Sequence, residues 1–355
     1  MPFARLKLVL LAVALVLCAT TWAAETNFES ASHLGPAPRN ADGRFTNWSG
    51  DLSHGSLAVR TRFFLRRIVS AFRTRPGIPE RVDNDGAFLR ENAEHSEPTV
   101  TWIGHATLLI QTDHVTFLTD PIWSDAASPI QWAAPKRFVP PGIAMKDLPP
   151  IDFVVLSHNH YDHLDLPTLE ALAARRPATR FLVPIGNAAL LREQGIEQVE
   201  EFDWGDSTRH GQVTITCLPS QHWSKRGLTD DQMALWSSWA IAGRDRNFYF
   251  GGDTGYFNGF SRIGEALGPF DLVAVPIGAY EPSAMMKESH MNPEEAIQAS
   301  IDLGAQKTVA MHFGTFDLSD EDLAEPPQRF LAAAASSSLD AEDAWVLRIG
   351  ETRRF

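Results

Sequence analysis

Three observations predict an α/β fold for this 355-residue chain. From residue 99 onward, short apolar runs of strand character alternate with stretches of helical character, the pattern of a layered α/β domain. Four such runs lead to a metal-ligand type of residue, and four of these residues crowd into Ser157-His-Asn-His-Tyr-Asp-His163. Apolar residues fill 44% of positions, enough for a core between packed layers.

The chain opens on an export signal. Arg5 and Lys7 precede an apolar run over residues 8–19, and small residues follow at Ala23 and Ala24. A charged start, an apolar stretch and a small-residue cleavage site make a signal peptide over 1–24. The run is short for a membrane span of about 20 residues, which favours cleavage over an uncleaved anchor. Localisation is then exported, periplasmic or membrane-associated. Residues 25–83 read as a leader. Its first part, 25–56, is polar and aperiodic, and is expected to be loosely ordered. Residues 57–75 mix Leu57, Phe63, Phe64, Leu65 and Ile68 with Arg60, Arg62, Arg66, Arg67 and Arg73. A basic amphipathic segment in an acidic protein fits an anionic lipid surface. A surface helix packed on its own domain fits the pattern equally well. Residues 76–98, with Pro76, Gly77, Pro79 and Pro98, read as loop.

The α/β domain spans 84–355. Runs 100–103, 107–111 and 115–119 are an opening set of strands, with a tight turn at Thr112-Asp113-His114. Residues 153–156 form a short strand ending at the histidine cluster. Helices are expected over 167–176, where Pro167 suits a first turn, and over 187–194, where Gly195 stops it. Further strands are expected at 181–183, 213–218, 235–242, 248–250, 272–275 and 308–311, with helices at 258–267 and 293–303. Pro293, Glu294 and Glu295 suit the first turn of the last helix. Two such βα-rich halves facing each other bring every ligand segment to one edge.

Composition narrows the function. The net charge of −13 speaks against a nucleic-acid surface. Two cysteines, Cys18 and Cys217, make neither a disulfide framework nor a thiolate-rich zinc site. Twelve histidines, by contrast, supply the commonest metal ligand. His158 and His160, two apart in an extended turn, can face one ion, while Asp162 and His163 turn toward a second. His222 and His312 each follow an apolar strand and precede an aromatic, Trp223 or Phe313; either alone also reads as a core histidine. Asp253 stands in Gly251-Gly-Asp-Thr-Gly255 directly after a strand, where a carboxylate suits a bridge between two ions. The alternative for Asp253 is a turn residue.

The segments Ser157-His-Asn-His-Tyr-Asp-His-Leu164, Thr101-Trp-Ile-Gly-His-Ala-Thr107, Gln221-His-Trp-Ser-Lys-Arg226 and Gly251-Gly-Asp-Thr-Gly-Tyr256 together resemble the metallo-β-lactamase fold. Gly278-Ala-Tyr-Glu-Pro282, His290-Met-Asn-Pro-Glu-Glu-Ala296 and Met311-His-Phe-Gly-Thr-Phe316 are similar to its N-acyl-phosphatidylethanolamine-hydrolysing phospholipase D branch. The resemblance covers roughly residues 84–330 and implies an αββα sandwich, two mixed sheets with outer helices. It implies two zinc ions, or other divalent metals. One would take His158, His160 and His222, the other Asp162, His163 and His312, with Asp253 between them. His290 matches a pocket histidine acting on the leaving group or a phosphate oxygen. His105 and Asp120 are expected to orient ligands. Ser289 departs from the amide expected beside His290.

The reaction implied is hydrolysis of a phosphodiester, with a hydroxide shared by two metals attacking phosphorus and an alcohol leaving. The substrate would be a phospholipid or another phosphodiester, met at a membrane surface to which the protein binds peripherally. Trp223, Lys225, Arg226, Tyr280, Met285 and Met286 are the candidate substrate contacts, with Trp123, Trp132 and Trp236 as further candidate walls. The competing readings are a lactonase or other metallo-hydrolase on the same fold, and a membrane-surface binding protein with a structural metal site.

Overall fold

The computed structural model describes residues 31–70, 77–128, 130 and 136–355. The export signal with Cys18, the 71–75 end of the basic segment, Pro76 and Trp132 lie outside the described residues.

Among the described residues, two seven-stranded sheets face each other. The first contains β1 (Thr99–Gly104), β2 (Thr107–Thr112), β3 (Val115–Thr119), β4 (Phe153–Val155), β5 (Arg180–Pro184) and β6 (Val199–Phe202), with the C-terminal β14 (Thr352–Arg354) beyond β1. The second contains β7 (Ser207–His210), β8 (Val213–Leu218), β9 (Ser238–Ala242), β10 (Asn247–Phe250), β11 (Phe270–Pro276), β12 (Ala305–Met311) and β13 (Ala344–Trp345), in chain order across the sheet. Each sheet is antiparallel in its first half and parallel in its second, the switch falling at β3–β4 and at β10–β11. Asp113 and His114, at φ 47° and 60°, make the tight β2–β3 turn in the left-handed geometry a two-residue hairpin needs.

Strand alternation explains the layering. In the first sheet Phe117, Phe153, Val155 and Leu182 face the second sheet, where Ile215, Trp239, Ile241 and Phe248 meet them. The intervening residues Leu118, Val154, Phe181 and Val183 point outward, under α3 (Leu166–Arg175) and α4 (Ala188–Arg192). The outer face of the second sheet is covered by α5 (Gly259–Leu267), α7 (Pro293–Asp302) and α8 (Glu325–Ala335), through Ile263, Ala296, Ile297 and Phe330. This is the αββα sandwich that the motifs imply.

Three expectations change. Residues 76–98 are not all loop: α2 (Ala87–His95) forms there, because Leu89 and Asn92 are buried on one of its faces. The strand expected at 235–242 begins only at Ser238, with Leu235 and Trp236 buried in the approach to it. The expectation of a loosely ordered leader fails for residues 31–56. Ala31, Leu34 and Phe45 are buried there, and the Phe45 N–H donates to the Gln232 carbonyl at 2.9 Å. The basic segment is helical as α1 (Leu57–Ser70), with Phe63 buried and Leu57, Phe64 and Leu65 exposed. Among the described residues no helix is long and apolar enough to cross a membrane. Cys217 is buried in β8, and burial pushes its thiol well above the ordinary range, leaving it protonated.

Candidate metal centre

All the ligand candidates sit just past the C-terminal ends of strands, on one edge of the sandwich. The histidine cluster follows β4, His222 follows β8, Asp253 follows β10 and His312 follows β12. The edge is reached with local strain. His105, Asp120 and His312 are non-glycine residues at φ 55°, 34° and 59°, a backbone choice costing about 1–3 kcal/mol each that persists where the surroundings enforce it. Gly252, at φ 58°, passes so close to the cluster that an added Cβ would stand 2.5 Å from the Ser157 Cβ.

The nitrogens of His158, His160 and His222 form one group, with ligand atoms within 4.8 Å of one another. His158 Nε2 lies 2.8 Å from His160 Nδ1, and His222 Nε2 lies 3.3 Å from the same atom. His105, Asp162, His163 and His312 form the second group. Asp162 Oδ2 is 3.4 Å from His163 Nε2 and 3.5 Å from His312 Nε2. Asp253 stands between the groups. Its Oδ2 is 3.2 Å from His163 Nε2, 3.8 Å from His222 Nε2 and 4.0 Å from His158 Nε2, and its Oδ1 is 3.1 Å from His312 Nε2.

A surrounding layer turns three of the rings, those of His163, His158 and His222. Asp120 Oδ2 accepts from His163 Nδ1 at 2.6 Å, and Asp120 also accepts from the Ser157 N–H and hydroxyl. The Ser157 Oγ is in turn 2.9 Å from His158 Nδ1, so one carboxylate reaches a ring in each group. His222 Nδ1 donates to the Ser289 carbonyl at 3.0 Å. In each case the outer nitrogen is engaged and Nε2 points inward, as ligation requires. His105 Nε2 lies 2.9 Å from Asp162 Oδ2. The His105 ring also lies near enough to count with the second group.

Electrostatics suit a cation. Burial holds His158 and His222 well below the ordinary imidazole range, and His160 down to about 4, so these rings present lone pairs. Burial alone would lift Asp162 and Asp253, but neighbouring histidines, His163 foremost, hold both well below the usual carboxylate range. His163 and His312 run the other way: burial opposes their charge, yet Asp253 and its neighbours outweigh it and lift His312 to about 9. A divalent cation offers the same carboxylates the positive charge those two protons carry. Among the described residues, His105 Nδ1, His160 Nε2, His163 Nε2, Asp253 Oδ1, His290 Nδ1 and both nitrogens of His312 are buried without a hydrogen-bond partner. Buried polar atoms are normally paired. Seven such atoms in one cluster of imidazoles and a carboxylate fit a divalent metal site.

The remaining candidates divide. His290 rims the cluster, its Nδ1 3.9 Å from Asp253 Oδ2, with burial lowering it to about 4 and so keeping it neutral. Trp223 packs edge-on against His160 at 4.4 Å. Met285 and Met286, half-buried in α6 (Ser283–Met286), stand one turn before His290, whose N–H donates to the Met286 carbonyl. Lys225 is half-buried on the His222 loop. Two candidates are turned to other work. The Arg226 guanidinium donates to the Asn159 and Leu164 carbonyls at 3.0 and 2.8 Å and lies over the Tyr161 ring, so it braces the histidine loop. Tyr280 is buried, with its hydroxyl donating to Glu325 Oε1 at 3.0 Å. Trp236 is fully buried core, and the Trp123 indole donates to the Ile143 carbonyl away from the cluster. Sequence reasoning missed Ser157 and Ser289 as orienting groups, although both stand directly beside recognised histidines.

A β-lactamase superfamily domain model matches residues 115–313, the span holding every one of the ligand candidates except His105. The chain is 42% identical, over 84% of its length and 86% of the relative's, to the Caenorhabditis elegans protein named N-acyl-phosphatidylethanolamine-hydrolyzing phospholipase D 1. It is 32% identical, over 64% of its length and 50% of the relative's, to the mitochondrial Saccharomyces cerevisiae protein of the same name. Among solved structures, a metallo hydrolase of Ignicoccus hospitalis shares the fold at a TM-score of 0.54 and 23% identity, covering 73% of this chain and 98% of that one.

Proposed function

The chain belongs to the metallo-β-lactamase superfamily as a metal-dependent hydrolase, and from that premise we propose that it is a phosphodiesterase of the phospholipase D type acting on N-acyl-phosphatidylethanolamine-like lipids. The carrying observation is Asp253, a carboxylate set between the two ligand groups: Oδ1 meets His312 of one, and Oδ2 lies near His163 of that group and 3.8 Å from His222 of the other. His158, His160 and His222 would hold one zinc ion, Asp162, His163 and His312 a second, and Asp253 would face both. Bound there, the pair supplies Lewis-acid charge to a phosphoryl group and brings the pKa of a water near 7.

The chain's own groups supply the rest. Asp120, Ser157 and Ser289 keep the imidazole lone pairs directed inward. His290, neutral and at the rim, offers an N–H to a phosphoryl or leaving oxygen, where a positioned donor contributes about 10²-fold or more. Trp223, Met285 and Met286 form an apolar margin that suits acyl chains. Water enters the phosphodiester, the P–O bond to the alcohol breaks, and a phosphomonoester and a free alcohol leave.

The substrate reaches the site from a membrane surface. Helix α1 supports this: Phe64 and Leu65 are 58% and 60% exposed beside Arg60, Arg62 and Arg66, a surface suited to anionic lipid. Export through residues 1–24 would place the mature protein at an outer or periplasmic membrane face, and N-terminal sequencing of the native protein tests it.

The deciding experiment is a substrate panel on metal-loaded protein, with elemental analysis of the same sample. About two metal ions per chain and release of an N-acylethanolamine from N-acyl-phosphatidylethanolamine are expected. Turnover of lactones with no hydrolysis of any phosphodiester would replace this reading with the lactonase one.

A further inference from the structure

We propose that Asn47 is a positioning residue for the ligand candidate His222, which makes the N-terminal strap of residues 31–56 a working part of the metal centre. The inference rests on the reading of His222 as a metal ligand. His222 lies on a loop beyond Pro219, after the chain has left the β8 ladder. Its backbone is nevertheless paired on both sides. Asn47 Oδ1 accepts from the His222 N–H at 3.0 Å, and Asn47 Nδ2 donates to the His222 carbonyl at 2.9 Å. A side-chain amide thus does for this one residue what a neighbouring strand would do. Asn47 is 3% exposed, so water does not compete for either bond. The same Oδ1 accepts from the Trp236 indole at 3.0 Å, which fixes the amide itself.

The second constraint on His222 comes from the opposite side. Its Nδ1 donates to the Ser289 carbonyl. With the backbone held by Asn47 and the ring by Ser289, Nε2 has one direction left, toward His160 and Asp253. The strap also ties down the neighbours of both partners. Ser49 Oγ donates to Gln221 Oε1 at 3.1 Å, and the Ser53 N–H donates to Glu288 Oε2 at 2.5 Å. The His54 ring lies 5.0 Å from that of Trp223. The segment carrying His222 and the segment carrying His290 are therefore joined through residues 47–54. All of these strap residues precede the span of the matching family domain.

The test compares Zn2+ retention in the full chain. Wild type, Asn47→Ala, Asn47→Asp and Leu172→Ala are loaded with Zn2+ and titrated with a chromogenic chelator, with thermal unfolding measured in parallel. Leu172 is buried under the first sheet, and its truncation controls for general destabilisation. Wild type should hold two tight equivalents. Asn47→Ala should release one of them about 10–100-fold more readily, the usual cost of losing a group that orients a ligand, and keep the other. Asn47→Asp retains the shape and the acceptor but loses the donor; it should also loosen one equivalent, and it carries the comparison should the alanine variant not fold. Leu172→Ala should release metal as wild type does, whatever its Tm. Wild-type retention of both equivalents in a folded Asn47 variant overturns this inference alone. So does loosening of both equivalents in proportion to lost Tm, in the Asn47 variants and Leu172→Ala alike. A wild type that binds no Zn2+ overturns the metal-centre reading, and this inference with it.

Discussion

Replacing Asp120 by asparagine keeps the shape of the side chain and removes one acceptor from a fully buried site. Asp120 Oδ1 accepts from the Ser157 N–H at 2.7 Å, while Oδ2 accepts from the Ser157 hydroxyl at 2.5 Å and from His163 Nδ1 at 2.6 Å. Burial pushes this carboxyl up, and the bonds from His163 and Ser157 pull it back. Asparagine has one oxygen to serve two fixed N–H donors. With its oxygen toward His163, its NH2 meets the Ser157 N–H; turned over, its NH2 meets the His163 N–H. Either way a charge-assisted bond worth about 1.5–3 kcal/mol is lost and a buried donor is stranded at a further cost of about 1–3 kcal/mol. The expected loss of unfolding free energy, the two together, is about 2.5–6 kcal/mol. In the second orientation the His163 proton moves to Nε2, the atom facing Asp253, and metal affinity falls about 10–100-fold. Urea unfolding and chelator competition measure the two effects. Asp120→Asn within about 0.5 kcal/mol of wild type, with unchanged metal retention, would refute the idea that one carboxylate aims a ring in each ligand group.

Two further outcomes are expected. Asp253→Asn should leave the fold intact and lower turnover at least about 100-fold, since it removes the charge between the two ligand groups; near-normal turnover at unchanged metal content would reduce Asp253 to a turn residue. Arg60→Glu with Arg62→Glu should weaken binding to anionic vesicles by about 1 kcal/mol or more for each residue, and wild-type binding should fall as salt shortens the screening length below about 8 Å; co-sedimentation that ignores both changes would count against α1 as the lipid-facing element.

The legible part of this molecule is the part where chemistry concentrates unusual residues. His158, His160, Asp162 and His163 within one short turn have few structural uses. The strands feeding Asp253 and His312 end in apolar runs, residues 248–250 and 309–311, buried on both faces where they pair in parallel with β11, while antiparallel β8, feeding His222, alternates Val213, Ile215 and Cys217 with threonines. The illegible parts are those whose structure is set from elsewhere. β7 reads Ser-Thr-Arg-His and β14 reads Thr-Arg-Arg. These polar edge strands pair only because β8 and β1 present a partner, and edge positions carry little intrinsic signal. Helix α2 hides among prolines, and only Leu89 and Asn92 mark its buried side. Asn47 is the extreme case. One asparagine in a polar, aperiodic stretch looks like loop, and its value appears only when the chain brings it, 175 residues away in sequence, against His222. Tyr280 and Arg226 show the reverse error: residues of the correct chemical type near the motifs, already committed to Glu325 and to the Asn159 and Leu164 carbonyls.

Each ligand group draws on both sheets. His158 and His160 come from the first and His222 from the second; Asp162 and His163 come from the first and His312 from the second. Neither half of the sandwich contains a complete set, so the geometry of the site is the geometry of the sheet-to-sheet contact. Three of the backbone and indole bonds that cross between the halves lie at this same edge. The Trp239 indole donates to the Leu156 carbonyl at 2.9 Å, the Ser237 N–H to the Ser157 carbonyl at 2.8 Å, and the His312 N–H to the His105 carbonyl at 3.1 Å. Each of these bonds ends on a ligand candidate or within two residues of one, or on His105. A shift of one sheet over the other would break them together with the Nε2 convergence, so the packed core of Phe117, Phe153, Trp239 and Phe248 acts on the chemistry by holding register between the halves. Binding that depends on both halves also stabilises their contact, by RT ln(1 + [L]/Kd), or about 2.7 kcal/mol at a hundredfold excess over Kd. The same edge that gathers the ligands is therefore where a bound cation would tighten the fold.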